Sequence, residues 1–283
     1  GRFENAGFNR IKPKPPLVPS APTYPIFPEN PTKPYDSREI LKCIVDDSEF
    51  TEYKKDYGKT ILCGYGRIDG WAVGIVANQR AIIKTKTGEM KFGGVIYSDS
   101  ADKAARFIMN CNQKKIPLVF LHDVSGFMVG SRSEHGGIIK DGAKMVNAMA
   151  NSTVPKFSIV IGNSYGAGNY AMCGKAYDPR LMFAWPNAKI AVMGGAQAAK
   201  TLLQIQVASL KKKGEELSKE KEEELLKRIT EKYQSETKAE YAASRLWVDD
   251  IIDPADTRKV ISMGIEAANH APVEKFNVGV VQV

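Results

Sequence analysis

Long apolar runs are missing from this sequence: no uninterrupted stretch approaches the ~20 residues that a membrane-spanning helix needs. The opening, "GRFENAGFNRIKPKPP", has no apolar core of the kind a secretory signal carries, so nothing in it points to export. It also lacks an initiator Met, and the chain is expected to be a processed or truncated piece. Cysteine is scarce. The four that occur (Cys43, Cys63, Cys111 and Cys173) are scattered, with no CxxC pair, and are expected to be reduced, buried thiols of a cytoplasmic or mitochondrial-matrix compartment. Only three histidines are present, none in a ligand-like spacing with Cys or Asp, which argues against a zinc site, and no metal is expected. No motif interleaves basic and aromatic residues. The net charge of +8 is diffuse, part of it in "RIKPKPP" and part in "KTKTGEMK", and suits solubility or attraction to a polyanionic small molecule better than nucleic acid.

What is there reads as globular. A hydrophobic content of 43% against 25% charged residues is enough to build a core. Residues 1–35 hold most of the proline clusters and are expected to be an extended linker, or a strap lying on a neighbour. A folded unit, 36–283, begins at "YDSREILKCIVD", where Asp36 or Ser37 suits a helix cap with Ile40, Leu41, Ile44 and Val45 on one face. "TILCGYGRI" and "WAVGIVAN" flank Asp69-Gly70, the strongest short hairpin signal in the chain. "SADKAARFIMNCNQKK" and "GGIIKDGAKMVNAMANS" have helical periodicity. "IPLVFLHDVSGF" and "KFSIVIGNS" read as buried strands ending in glycine loops, and "RLMFAW" and "AKIAVMGG" as two further strands. From about 211 to 240 the chain becomes highly charged with few apolar anchors, either a solvated helical arm or a partner-docking one. Pro254, after a capping Asp253, opens the last helix. Strand, loop and helix in repetition, with glycines at the strand ends, predict an α/β protein whose site lies at those loops.

Two chemistries compete for "GNSYGAGNY" (162–170). Its first five residues fit G-x-S-x-G, which would make Ser164 the nucleophile of a hydrolase, with "EHGGI" (134–138) as the oxyanion motif and His270 after Asp249, Asp250 and Asp253. His270 stands near a helix end before Pro272, however, and His135 and its glycines open a helix. The second chemistry uses "VSGFMVG" (124–130) and "SYGAGNY" (164–170) together. Each follows a buried strand and precedes a helix, so each can leave backbone N–H groups without carbonyl partners. One N–H group from each loop can hold a single oxygen as an anion, and Ala167 and Gly168 are small enough to leave room for it. A third reading keeps the glycines for tight strand–helix packing alone. His122 and Asp123, just before the first loop, are expected to bond loop backbone rather than to act as acid and base.

With both loops in view, the chain resembles the C-terminal half of the carboxyltransferase (beta) subunit of biotin-dependent acyl-CoA carboxylases. The resemblance runs from "KPYDSREI" to the chain's end, through "GRIDGWAVGIVAN", "KIPLVFLHDVSGFMVG", "DGAKMV", "SYGAGNYAMCGKAYDPR" and "WPNAKIAVMGGAQAA", and is greatest to the methylcrotonyl-CoA carboxylase branch. It implies one crotonase (ClpP-like) β-β-α superhelix of a two-domain carboxyltransferase. It implies carboxyl transfer from carboxybiotin to the α- or γ-carbon of an acyl-CoA, with the biotin carried covalently on a partner. The biotin side of the site would be backbone N–H groups at Gly126 and Phe127 and at Ala167 and Gly168, with Gly166 beside them. No side-chain general base is needed in that mechanism. Asn169, Tyr170 and Met172, just past the donors, are expected to shape the acyl pocket, although Met172 suits core packing equally. The implied partners are acyl-CoA, an N-terminal carboxyltransferase half, a biotin carboxylase/biotin carrier subunit and further copies of the chain. "QRAIIKTKTGEMKFGGVIYSDS" is longer than the matching stretch in many relatives and defaults to a surface loop. A crotonase-like hydratase or decarboxylase without biotin, and a non-catalytic scaffold half-domain, remain as alternatives. On the carboxyltransferase reading, valine at 167 or 168 should end turnover with the fold intact, and Ser164→Ala should be nearly silent.

Overall fold

A computed structural model describes residues 4–19, 33–85, 88–212, 218–277 and 279. Helix α1 (Ser37–Ile44) starts as its sequence predicts, with Asp36 accepting the Arg38 N–H at 3.0 Å, and buries Ile40, Leu41 and Ile44. After the short β1 (Thr51–Glu52), the Asp69-Gly70 pair turns β2 (Ile61–Ile68) into β3 (Trp71–Asn78). Both turn residues are left-handed, with φ of 51° and 82°, the conformation a two-residue hairpin needs.

Next come β4 (Ile83–Lys84) and β5 (Met90–Lys91), which pair with each other, then β6 (Val95–Ile96) and α2 (Ser98–Gln113). The strand β7 (Leu118–Val124) leads through Ser125 into the two-residue β8 (Gly126–Phe127), followed by α3 (Ser131–His135) and α4 (Ile138–Ala150). The long β9 (Lys156–Tyr165) runs directly into α5 (Gly166–Ala171), and then come β10 (Leu181–Ala184) and β11 (Lys189–Ala191). A helical hairpin, α6 (Gly195–Lys212) and α7 (Lys219–Glu236), precedes α8 (Ala239–Ala243), β12 (Asp250–Ile251) and α9 (Thr257–Ala268).

The strands form one eight-stranded sheet in the order β1-β2-β3-β7-β9-β10-β12, with β11 beside the far end of β9. Beyond the β1-β2-β3 meander every pairing in it is parallel. Central β7 is buried at all seven positions, as expected of a parallel strand covered on both faces. Its side chains divide with period two. Val119 and Leu121 join Phe157, Ile159, Trp185, Ile261 and Ile265 on one face, under α9. Leu118, Phe120 and Val124 meet Ala104, Phe107, Ile108, Met145 and Met149 on the other, under α2 and α4. Each such buried side chain contributes roughly 1.5–3 kcal/mol. The α6–α7 hairpin has only a small apolar interior of its own, built on Ala199, Leu203 and Ile229.

The proline-rich opening, where described, packs on the chain's own domain. Phe8 is buried, Ile11 donates its N–H to the Gly70 carbonyl at 3.1 Å, and the Arg10 guanidinium lies 4.7 Å from the Trp71 ring centroid. The part at 20–32 lies outside the described residues. The stretch taken as a surface loop is exposed at Ile82, Met90 and Phe92, yet its two ends are packed. Gln79 and Arg80 are buried, and β6 pairs with β8.

Candidate active site

Strands β7 and β9 end side by side, and the two glycine loops leave from them. They touch. A Cβ built on Gly168 would lie 2.6 Å from the Val124 side chain and 3.1 and 3.2 Å from Cα and N of Gly126. Only glycine lets the second loop approach the first this closely. Gly126 is the converse case. Its φ is +140°, and a Cβ there would meet nothing within 4 Å, so the first loop borders open space. Ala167 is exposed beside it, while Gly168 is buried.

The first loop is held by its flanks. The Ser125 N–H is spent on the Gly94 carbonyl at 2.7 Å and the Met128 N–H on the Ile96 carbonyl at 2.8 Å, which leaves Gly126 and Phe127 between two fixed points. The Phe127 ring packs on α4, where a Cβ on Gly142 would come within 2.8 Å of it. In the second loop, Gly166 has a φ of +50°, and any Cβ there would strike the Val192 carbonyl at 2.6 Å. The next N–H groups, at the first turn of α5, have no earlier turn to bond to. The segments Gly126–Phe127 and Gly166–Gly168 are therefore neighbours, and the first borders open space at Gly126. Such an arrangement can hold one ligand oxygen between two loops and stabilise negative charge on it.

Behind the loops lies a buried polar layer. Ser164 is fully buried, and its Oγ accepts from Asn169 Nδ2 at 2.8 Å and lies 2.9 Å from His122 Nδ1. The hydroxyl and the imidazole thus share one buried hydrogen bond. Burial pushes the His122 imidazole down to about 3, opposed by the Met172 backbone. This serine and histidine have a catalytic-looking distance but no access to any substrate. Asp249 accepts from Met182 N–H and Lys175, and Asp253 caps Ala255. The imidazole beside Ser164 is thus His122, and the order Ser164, Asp249 to Asp253, His270 assembles no triad.

Asp123 is buried as well. Its Oδ1 accepts the Asn163 N–H at 2.9 Å, and its Oδ2 accepts the Tyr35 hydroxyl at 2.7 Å and lies 3.2 Å from Arg80 Nε. Burial raises its carboxyl above the usual range, opposed by Arg80, Asn163 and Tyr35. Asp123 bonds loop backbone as expected, and His122 meets both the Ser164 side chain and the Met172 backbone. Tyr35 and Arg80 carried no signal in the sequence reading. A lone Arg after a strand looks like a surface residue until its partner is known.

The expected pocket residues separate. Tyr170 is exposed, with its ring edge-on to Tyr177 at 5.9 Å. Asn169 has its side chain on Ser164 and against Gly174. Met172 is fully buried in the core under α2 and α4, which favours packing, the second of its two expected roles. Valine at 168 would not leave the fold intact either, because its Cβ has no room. Among the described residues no three His, Cys, Asp or Glu side chains gather as a metal site, and no helix is long and apolar enough to cross a membrane. All four cysteines are buried thiols.

An α/β domain of helices around a mostly parallel sheet, with paired backbone loops at adjacent strand ends, defines a crotonase-like fold. The model of the carboxyl transferase domain matches residues 5–278, and the chain belongs to that family. It is 49% identical over 249 residues, 87% of this chain and 41% of the relative, to a probable mitochondrial methylcrotonoyl-CoA carboxylase beta chain of Drosophila melanogaster. It is 44% identical over 280 residues, 99% of this chain and 50% of the relative, to the biotin-dependent 3-methylcrotonyl-coenzyme A carboxylase beta1 subunit of Mycobacterium tuberculosis. Among solved structures, the transcarboxylase 12S hexamer with methylmalonyl-coenzyme A and methylmalonic acid bound superimposes with a TM-score of 0.82 at 33% identity, over 99% of this chain and 51% of that one. The chain thus spans about half, or less, of the length of these relatives.

Proposed function

We propose that this chain supplies the biotin-side half of a carboxyltransferase site that moves a carboxyl group from carboxybiotin to an acyl-CoA. The observation that carries this reading is the contact between the two glycine loops, Gly168 against Gly126, at the edge of an open space in a carboxyl transferase domain. A biotin borne on a partner chain supplies the transferable carboxyl. The donors of this chain, at Gly126 and Phe127 and at Ala167 and Gly168 with Gly166 shaping the turn, hold the oxygen that gains charge. Tyr170 borders the acyl side. No side chain at the loops is placed as a general base: His122 is buried and neutral, and Asp123 is committed to Arg80, Tyr35 and Asn163.

The rim is apolar. Val129, Ile139, Tyr170 and Val192, on the segments bordering the loops, are all exposed. That suits cover by an N-terminal carboxyltransferase half, in an assembly with further copies of this chain and a biotin carrier, in whichever compartment that carrier occupies. Purification of the native assembly, with streptavidin probing and a labelled carboxyl-transfer assay, tests the proposal. A biotinylated partner and transfer to acyl-CoA are expected. A chain that copurifies with neither biotin nor an N-terminal half, and transfers nothing, would indicate a scaffold instead.

A further inference from the structure

Asp123 stands where the β7–β9 ladder breaks. His122 pairs with Val160, but Val124 pairs with Ser164, so β9 carries extra residues opposite Asp123. Such a bulge removes ladder hydrogen bonds and re-aims the strand end. The carboxylate fills the gap. It accepts the Asn163 N–H, and it occupies the position where a side chain at 162 would be, since a Cβ on Gly162 would lie 2.5–2.7 Å from its atoms. Three residues beyond Asn163 the second donor loop begins, at Gly166.

The other carboxylate oxygen reaches the first loop. Arg80, 3.2 Å from Oδ2, lies against Gly94, where a Cβ would come within 2.3 Å of its Nη1. Gly94 in turn accepts the Ser125 N–H, and the adjoining β6 pairs with β8, the donor strand. One carboxylate therefore links the segment that holds Gly126 to the segment that leads into Gly166. A buried ion pair is weak evidence for a stabilising role, because its desolvation cost is of the size of its attraction. Its placement between the two loops is a stronger guide to what it does.

We propose that Asp123 is a positioning residue: its buried carboxylate is the strut that sets the separation of the two donor loops. This rests on the proposed function, and the loops' own behaviour supplies a readout that needs no biotin. Asp123→Asn keeps an acceptor for Asn163 but turns an amide donor toward Tyr35 and Arg80. In the native assembly, kcat for carboxyl transfer per folded site is expected to fall about tenfold, with the acyl-CoA KM within about twofold, since a small misplacement of donors acts on the transition state. Amide hydrogen exchange across 125–128 and 166–169 is expected to quicken about tenfold, while the rest of the sheet stays protected. Wild-type kcat together with wild-type exchange in the variant would overturn the strut. If Asp123→Asn does not fold, Tyr35→Phe, which deletes one hydroxyl from the carboxylate, gives the reading. About a threefold loss of kcat with KM unchanged supports the strut, and no loss overturns it. An assembly that transfers no carboxyl even as wild type contradicts the proposed function instead, and the exchange measurement still decides the strut.

Discussion

Ala167 and Gly168 are adjacent in sequence and respond differently to the same substitution. The Ala167 side chain is exposed, so Ala167→Val adds bulk beside the donors without entering the core. Stability within about 0.5 kcal/mol of wild type is expected from thermal unfolding. Gly168→Val drives into Val124 and is expected to cost about 1–3 kcal/mol as overpacking. Ser164→Ala is a similar contrast between stability and activity. It leaves His122 Nδ1 and Asn169 Nδ2 without their partner, so stability is expected to fall by about 1–3 kcal/mol while turnover per folded molecule is unchanged. Lost turnover with stability retained would revive a catalytic serine. His122 sets a pH dependence. Its ordinary value is 6.5, and burial lowers it to about 3. Between those values the unfolded chain binds the proton and the folded chain does not, so stability falls as pH drops below 6.5. One such proton corresponds to a slope of about 1.4 kcal/mol per pH unit. Urea titrations from about pH 6.5 down to about pH 5 should approach that slope at the lower end, and His122→Asn should lose the histidine's share of it. Equal slopes in the two proteins would contradict the buried, neutral assignment.

The elements differ in how firmly they are held. Strands β7 and β9 lie between two packed layers, whereas α6 and α7 share only a small satellite core. Amide exchange in 195–212 and 219–236 is therefore expected to be fast relative to 118–124 and 156–161, and comparable protection in both would contradict the packing. The same contrast explains what was legible in the sequence. Asp69-Gly70, the continuous apolar runs of β7 and β9, the Asp36 cap and the glycine loops each carry a local signal, and each lies where that signal predicts. The β6–β8 pair was hidden, because two-residue strands have no periodicity to read. So was the break opposite Asp123. A bulge is set by which residues face each other across strands, and no local composition encodes it. Arg80 and Tyr35 meet Asp123 from positions far from it in sequence. Met172 was read for its nearness to the donors, but the turn at the end of α5 directs it into the core.

As a whole molecule, on the proposed reading, the chain presents half of a site. Its first loop borders open space at Gly126, apolar side chains such as Val129 and Val192 are exposed nearby, and its relatives are about twice as long. The account places the decisive chemistry in backbone N–H groups, which no side-chain deletion removes, so the test must crowd them. The measurement is transfer of labelled carboxyl from the biotin carrier to acyl-CoA in the native assembly, wild type against Ala167→Val, with carboxylation of the carrier followed in the same samples. The expected Ala167→Val assembly has normal size and stability and a carrier that is still carboxylated, but its transfer falls by roughly 10²–10³, the usual consequence of losing one oxyanion donor. Transfer at the wild-type rate in that variant would contradict it.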